Sequence, residues 1–566
     1  MGKMIIYQAF PRYFGNDRQH PKFDGTIEQN GCGKLEDFSN TALKSIHDLG
    51  VTHIWFTGVL EHATKTDYSS IGISKDHPAI VKGKAGSPYA IKDYYDIDPD
   101  LAVHPENRID EFKDLLDQCH KLNLKVIIDL VPNHVARQYE SDACPPGTRD
   151  FGADDYNNQS FNPDNNFYYL PGQKFQPQIN RLAGAEKPYT ENPAKVTGND
   201  CFSATPDAND WYETVKLNYG VDYQCGGRQY FQNIPATWFK MLDILSYWTN
   251  MGVDGFRCDM AEMVPIAFWG WAISRIKKLN PAVIFIAEVY KPELYRDYVH
   301  HGGFDYLYDK EGMYNTMRAI LEGRESVSAI TGCWQAVDDI QDNMLHFIEN
   351  HDEQRLASGF FTNDAVKGFP ALLVLACIRS NPFMIYSGQE LGETGMYQEG
   401  FSGIDGRSTI FDYWTIDSLV AWNNGGNWDE EQLTDHQKTI RAFYKCVLNL
   451  SIQEKALSEG VFFDLMYANY ENTYFDSSKI FAFIRKSGNE FIVALANFSS
   501  EVKKVNLLIP KYAFEFLMIP NGDVWTTTEL LTGHFFKICL SSNEPVKLEV
   551  PINSGLLLKF LINETN

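Results

Sequence analysis

The sequence predicts an α/β protein: a (β/α)8 TIM barrel with a loop-rich insertion after its third strand and a C-terminal antiparallel β-sandwich. Three observations predict it. Four short apolar segments, KVIIDLVPNH (125–134), GVDGFRCDM (252–260), VIFIAEVY (283–290) and LHFIENHDE (345–353), each run into a carboxylate. They are too short for helices and rich in β-branched residues, as suits parallel strands covered on both faces. Their spacing fits a barrel, in which a strand-helix unit takes about 30 residues. Asp259 and Glu288 lie 29 residues apart, one unit, and Glu288 and Asp352 lie 64 apart, two units. Asp129 and Asp259 are 130 residues apart, so a long segment is inserted between them. Beyond residue 453, finally, the apolar pattern changes to strict alternation.

Taken in order, barrel strands are expected at 4–10, 52–58, 125–131, 252–259, 283–289, 304–309, 345–350 and 382–388. Helical patterns separate most of them. Residues 35–50 place Leu35, Phe38, Leu43 and Ile46 at helical spacing and stop at Gly50. Residues 107–123 carry acids early and His120 and Lys121 late, which complements the helix dipole. Segments 233–252 and 265–280 follow the same logic. The insertion, 135–215, is rich in Gly, Pro, Asn and Asp, with Phe151, Tyr156, Phe161, Phe167, Tyr168, Tyr169 and Phe175 between them. Such a loop needs aromatics to build a small core of its own. After a helical stretch at 430–452, residues 479–499 read as a hairpin turning at Ser487-Gly488-Asn489. The expected domains are therefore 1–134 with 216–452 for the barrel, 135–215 for the insertion and 453–566 for the sandwich.

Burying a carboxylate at the end of an apolar strand is costly unless the site uses it. One such residue reads as a structural ion pair. Four with the same layout read as one active site, because parallel strand ends converge on a single rim. The formal charge of −24 argues against nucleic acid and anionic membrane surfaces as partners. No apolar stretch reaches the roughly 18 residues of a membrane span. The ten cysteines follow no metal-ligand or disulfide-framework spacing. Cys258 and Cys377 read as reduced core residues, whereas Cys144, Cys201 and Cys225 are placed to pair if the protein is exported. A first strand near Met4 leaves no room for a signal peptide, so a cytoplasmic location is expected, with export after removal of a leader as the alternative.

These motifs carry a resemblance. DLVPNH, GFRCD, the Glu288 segment and ENHDEQR resemble, in that order, the four conserved segments of the α-amylase family of retaining glycoside hydrolases. GVTHIWFTG, SPYAIKDYYDIDP (87–99) and IYSGQELG (385–392) resemble its accessory segments, and the likeness runs from about residue 4 to about residue 500. The resemblance implies that Asp259 is the nucleophile, Glu288 the general acid/base and Asp352 the third carboxylate. It implies that Tyr89 stacks under the sugar beside the cleaved bond and that His134 and His351 hydrogen-bond it. Arg257, two residues before Asp259 and on the same face of a strand, is expected to hold Asp259 ionised. Glu288, following an apolar run near other carboxylates, is expected to hold its proton more tightly. The implied substrate is an α-1,4-glucan or maltooligosaccharide, and the implied reaction a double displacement. Same-family transglycosylases, isomerases and maltogenic or neopullulanase-type enzymes share the motifs, as would a member that lost catalysis and only binds glucan. Insertion aromatics not needed for a core would then stack on sugars.

The sequence departs from the family at three places. Glu262 and Met263 stand where amylases usually have Lys and His, which bear on the leaving-group side. Ala90 follows Tyr89 where exo-acting glucosidases place an Asp, which favours endo action. In TVKLN (214–218), Lys216 replaces the acid that in calcium-binding members joins Asn133 in holding the ion. No metal is expected at that position; Lys216 is expected to take its place and donate to Asn133 or a carbonyl, the alternative being that it points into solvent while calcium binds through other ligands. Calcium at another site, and the oligomeric state, are left open.

Overall fold

The computed structural model describes residues 2–178 and 188–562. Eight parallel strands close a barrel in sequential order: Ile5–Ala9, His53–Phe56, Lys125–Leu130, Gly255–Cys258, Ile284–Ala287, Tyr306–Tyr308, Met344–Phe347 and Phe383–Tyr386. Every one falls inside a segment expected from the sequence or within one residue of it. Alternation along the strands sorts their side chains into two cores. Ile6, Trp55, Ile127, Ile284, Ile286, Tyr308, Leu345, Phe347 and Met384 fill the barrel. The other face packs on helices such as Arg108–Lys121, which buries Phe112, Leu115, Leu116 and Cys119 on one stripe. Gly255 has a steric reason: a Cβ there would stand 2.5 Å from Ile284 Cγ1 inside the barrel. Two residues on, pointing the same way, Arg257 pairs in register with Asp129 on the third strand.

The insertion leaves the barrel through a ribbon. His134–Ala136 pairs antiparallel with Thr214–Lys216, so both ends of the long loop are fastened at one neck. Within it, Tyr168, Leu170, Phe175, Ala194 and Val196 form a small core with Ile80, and Phe161 packs against it. Phe151, Phe167 and Tyr169 join the main core instead, and Tyr156 is exposed. The aromatics thus hold the loop together, Tyr156 excepted, and none of the seven lines the cleft described below.

C-terminal to the barrel, a six-stranded antiparallel sheet runs in the order 461–464, 480–487, 490–497, 554–561, 523–529, 535–540. Its first hairpin turns on Gly488 and Asn489, with Ser487 opposite Glu490 and Gly488 at φ 54°. The second sheet of the sandwich has only two strands, Lys503–Leu507 and Val546–Val550. The reason is that the barrel shares the burial. Helix Phe369–Cys377 is buried on all sides, packed between the barrel and strands 490–497 and 554–561. Buried Arg485 joins the two bodies, its guanidinium donating to Cys377 O at 2.8 Å and Gly460 O at 2.7 Å. Among the described residues no helix is long and apolar enough to cross a membrane. All ten cysteines, Cys144, Cys201 and Cys225 included, are unpaired.

Candidate active site

The strand ends named from the sequence meet at the C-terminal rim of the barrel, on the floor of an open cleft of about 910 Å³. Tyr89, His134, Asp259, Glu288 and Asp352 all line it. At their centre lies the Arg257 guanidinium, wholly buried. One terminal nitrogen is 2.9 Å from Asp259 Oδ1 and 3.3 Å from Asp129 Oδ1; the other is 2.7 Å from Glu288 Oε2. Its Nε donates to Tyr308 Oη at 3.2 Å. Trp55, Tyr89 and Tyr308 present their rings to it at 5.2–5.5 Å.

This corrects one sequence expectation. Arg257 pairs with Asp259 as expected but with Glu288 as well, and burial works against the ionised Asp259 that the sequence leads one to expect. Burial, and next the neighbouring Glu288, raise the Asp259 carboxyl well above its ordinary range, with Arg257 opposing. Glu288 is fixed further by Met260 N–H, 2.8 Å from Oε2, and by the Tyr290 hydroxyl, which donates to Oε1. Met260 reaches that bond through a left-handed backbone, φ 43°. Asp129, the fourth strand-end carboxylate, is withdrawn from the cleft and accepts from Trp55 Nε1 at 3.1 Å and Gly58 N at 3.0 Å. Burial raises it to about 6, so it supports Arg257 from below.

His351 sits between Gln8 Nε2, 2.8 Å from its Nδ1, and the Tyr89 hydroxyl, 2.5 Å from its Nε2. Asp352 Oδ2 lies 3.2 Å from the same Nε2, with a third of its side chain exposed to the cleft. Burial lowers both His351 and His134 to about 3, helped by Arg257 and Lys216 respectively. Both rings are thus neutral hydrogen-bonding groups over the neutral pH range. His134 also faces Trp211, ring centroids 5.2 Å apart.

Several contributors were not singled out from the sequence. Tyr290 was legible in principle, standing two residues after Glu288 in extended chain. Tyr308 lies on a strand that was placed correctly without its hydroxyl being noticed. Trp211 and Tyr212, from the far end of the insertion, line the cleft, as do Phe401 and Phe411 from the loop after the eighth strand; no local signal marks them. Glu262 turns inward and accepts from Tyr290 N at 2.8 Å, bracing the Glu288 loop.

Lys216 stands at the position where the resemblance implies a calcium ligand. Lys216 Nζ, 1% exposed, donates to Asn133 Oδ1 at 2.8 Å and lies 2.5 Å from Asp200 Oδ1. Asn133 returns its amide N–H to Gly198 O at 2.8 Å. An ammonium cannot ligate a cation, and its charge repels one, so these residues do not fit the ion.

Comparison with known proteins agrees with this architecture. The family described as "Alpha amylase, catalytic domain" matches residues 8–441. The chain belongs to the alpha-amylase family. It is 23% identical over 513 residues to Alpha-amylase MalA of Haloarcula japonica, covering 89% of this chain and 56% of that protein. It is 25% identical to Alpha-amylase 3 of Dictyoglomus thermophilum, covering 81% and 78%. The chain thus spans just over half the length of the first relative and about three quarters of the second. In fold it matches the noncanonic maltogenic alpha-amylase AmyB from Thermotoga neapolitana, with a TM-score of 0.64, 19% identity and 99% of each chain covered.

Replacing Lys216 by Ala should loosen the insertion's neck. It removes the buried bond to Asn133 and leaves Asp200 without its cation, a loss of about 1–3 kcal/mol. Hydrogen exchange across residues 194–218 should speed up, while the barrel strands stay protected. Unchanged exchange there, or an experimental structure with a cation on Asn133 Oδ1, would contradict this account.

Proposed function

We propose that the chain hydrolyses internal α-1,4-glucosidic bonds of α-glucans and maltooligosaccharides with retention of configuration. The observation that carries this reading is the single guanidinium joining Asp259 and Glu288 on the cleft floor. Two carboxylates on one planar fork are kept close, as the spacing of about 5–5.5 Å in retaining enzymes requires, with no room for a water between them. The open cleft and its aromatic walls suit a chain of sugar rings, whose apolar faces stack on Tyr89, Trp211 or Tyr212.

In this mechanism Asp259 attacks the anomeric carbon while Glu288 gives its proton to the departing glycosidic oxygen. The bond to that oxygen breaks and a covalent glycosyl ester forms on Asp259. Glu288, now ionised, takes a proton from a water that attacks the same carbon and frees Asp259. Arg257 supports this exchange by staying charged throughout, holding whichever carboxylate is anionic. For the first step Glu288, in its protonated form, turns from Arg257 toward the leaving oxygen. Asp352 and neutral His351 and His134 bind the hydroxyls of the sugar being distorted, above Tyr89. The absence of an acid at Ala90 leaves the cleft open to a longer chain. Product profiling on amylose, pullulan and short maltooligosaccharides tests the assignment, with the anomer followed by NMR. The α-anomer should appear first from internal cleavage of amylose. Release of the β-anomer first, or transfer products exceeding free sugars at low acceptor concentration, would defeat it.

The two carboxylates should fail differently. Asp259→Asn should abolish turnover of every substrate. Glu288→Gln should cut amylose hydrolysis by about 10²–10⁴-fold, yet still form the glycosyl-enzyme from an aryl glycoside with a good leaving group, and azide should rescue its breakdown. Equal losses on both substrates would contradict the roles.

The same variant has a pH signature. Glu288 is a cause of the raised Asp259 carboxyl, so Gln there should lower it. The acid limb of kcat/KM on the aryl glycoside, which follows protonation of Asp259, should move to lower pH. A shift to higher pH would refute the coupling.

A further inference from the structure

Away from the cleft, four carboxylates converge with too little positive charge to balance them. Glu61 and Asp93 are partners across the antiparallel pair Leu60–His62 and Ile91–Ile97, which follows the second barrel strand. Asp96 lies further along the same strand, and Asp142 comes from the start of the insertion. One oxygen from each of the four can be chosen so that all lie within 4.8 Å of one another. Glu61, Asp93 and Asp96 are at most 1% exposed, whereas Asp142 is at the rim.

Three of the four have partners. Asp93 accepts from Tyr95 N, Ser141 Oγ and Ala143 N. Asp96 accepts from Ile97 N and pairs with Arg108, which also reaches Asp142 at 3.3 Å. Glu61 has none: both its carboxyl oxygens are buried without a hydrogen bond. Lys92, the other cation nearby, is spent on Asp76 and Ser74 O. A carboxylate buried this way is too costly to leave uncompensated.

We propose that Glu61, Asp93, Asp96 and Asp142 bind one divalent cation of the calcium class. All the donors are hard carboxylate oxygens, and calcium sits 2.3–2.6 Å from such ligands, so opposed oxygens stand about 4.6–5.2 Å apart. Four oxygens that all lie within 4.8 Å of one another fit inside that shell. The exposed Asp142 gives the ion a way in. The ion would fasten the hairpin to the insertion. That hairpin leads from Tyr89, and its Tyr94 hydroxyl donates to Val131 O in the loop that carries Asn133 and His134. This site is distinct from the Asn133 position that Lys216 fills, and its existence does not depend on the reaction proposed above.

The test is calcium titration of the chelator-stripped, full-length protein by calorimetry, with terbium luminescence and thermal melting alongside. The expected result is one calcium per chain and a melting temperature that rises with calcium. Glu61→Gln should abolish that rise. Asp142→Asn, at the rim and not needed for folding, should weaken binding at least about tenfold while the circular dichroism stays wild-type. No binding heat at millimolar calcium would overturn the proposal, as would calcium binding that neither substitution weakens. So would a wild-type melting temperature indifferent to calcium, which would make Glu61 a buried acid sharing a proton with its neighbours.

Discussion

The architecture of the site depends on one buried cation. Arg257 lies inside the rim of the barrel, where an unpaired guanidinium would be prohibitively costly. It is tolerable because Asp129, Asp259 and Glu288 surround it at 2.7–3.3 Å and three aromatic rings face it. The dependence runs both ways, since none of those carboxylates can be buried as an anion without the arginine. Gly255, two residues below, clears the neighbouring space in the barrel, and Trp55 and Gly58 turn Asp129 toward it. Strand register, side-chain alternation and charge balance therefore all express one constraint. Arg257 thereby keeps Asp259 and Glu288 beside one another on the cleft floor in the unliganded protein.

Around that centre, the loops are tied down by polar bonds rather than apolar packing. The chain from Val131 to His134 is gripped by Tyr94, by Tyr219, whose hydroxyl donates to Pro132 O at 2.7 Å, and by Lys216 through Asn133. The Lys216 ammonium lies at the insertion's neck, bonded to Asn133 and paired with Asp200. It carries a single charge, so one partly exposed aspartate, Asp200, balances it. The acid cluster at Glu61 has the opposite imbalance, with more anions than its one arginine can neutralise.

The C-terminal sheet has a physical role that its sequence pattern does not announce. By covering Phe369–Cys377 it turns a surface helix of the barrel into a buried one, which explains why that helix is apolar all round. Arg485 closes the junction by donating to carbonyl oxygens on the barrel side and on its own side. The eighth strand, which this helix precedes, is thereby held on the face opposite the barrel interior.

Much of this was legible in the sequence because it is local. Strand segments reveal themselves by short β-branched runs, and strand-end carboxylates by their position after such runs. That is why all eight strands and the strand-end carboxylates Asp129, Asp259, Glu288 and Asp352 follow from pattern and spacing, whereas Tyr89, His134 and His351 were pointed to only by the resemblance to the α-amylase family. That Lys216 replaces an acid was visible only through the same resemblance, which left its partner open between Asn133, a carbonyl and solvent. What only the tertiary structure decided involves residues distant in the chain sharing one small volume. No spacing shows that Arg257 divides itself between Asp259 and Glu288, that Trp211 and Phe411 face the same cleft, or that Glu61 meets Asp142 across 81 positions. Electrostatic energy depends on distance in space, and only the closed barrel sets those distances.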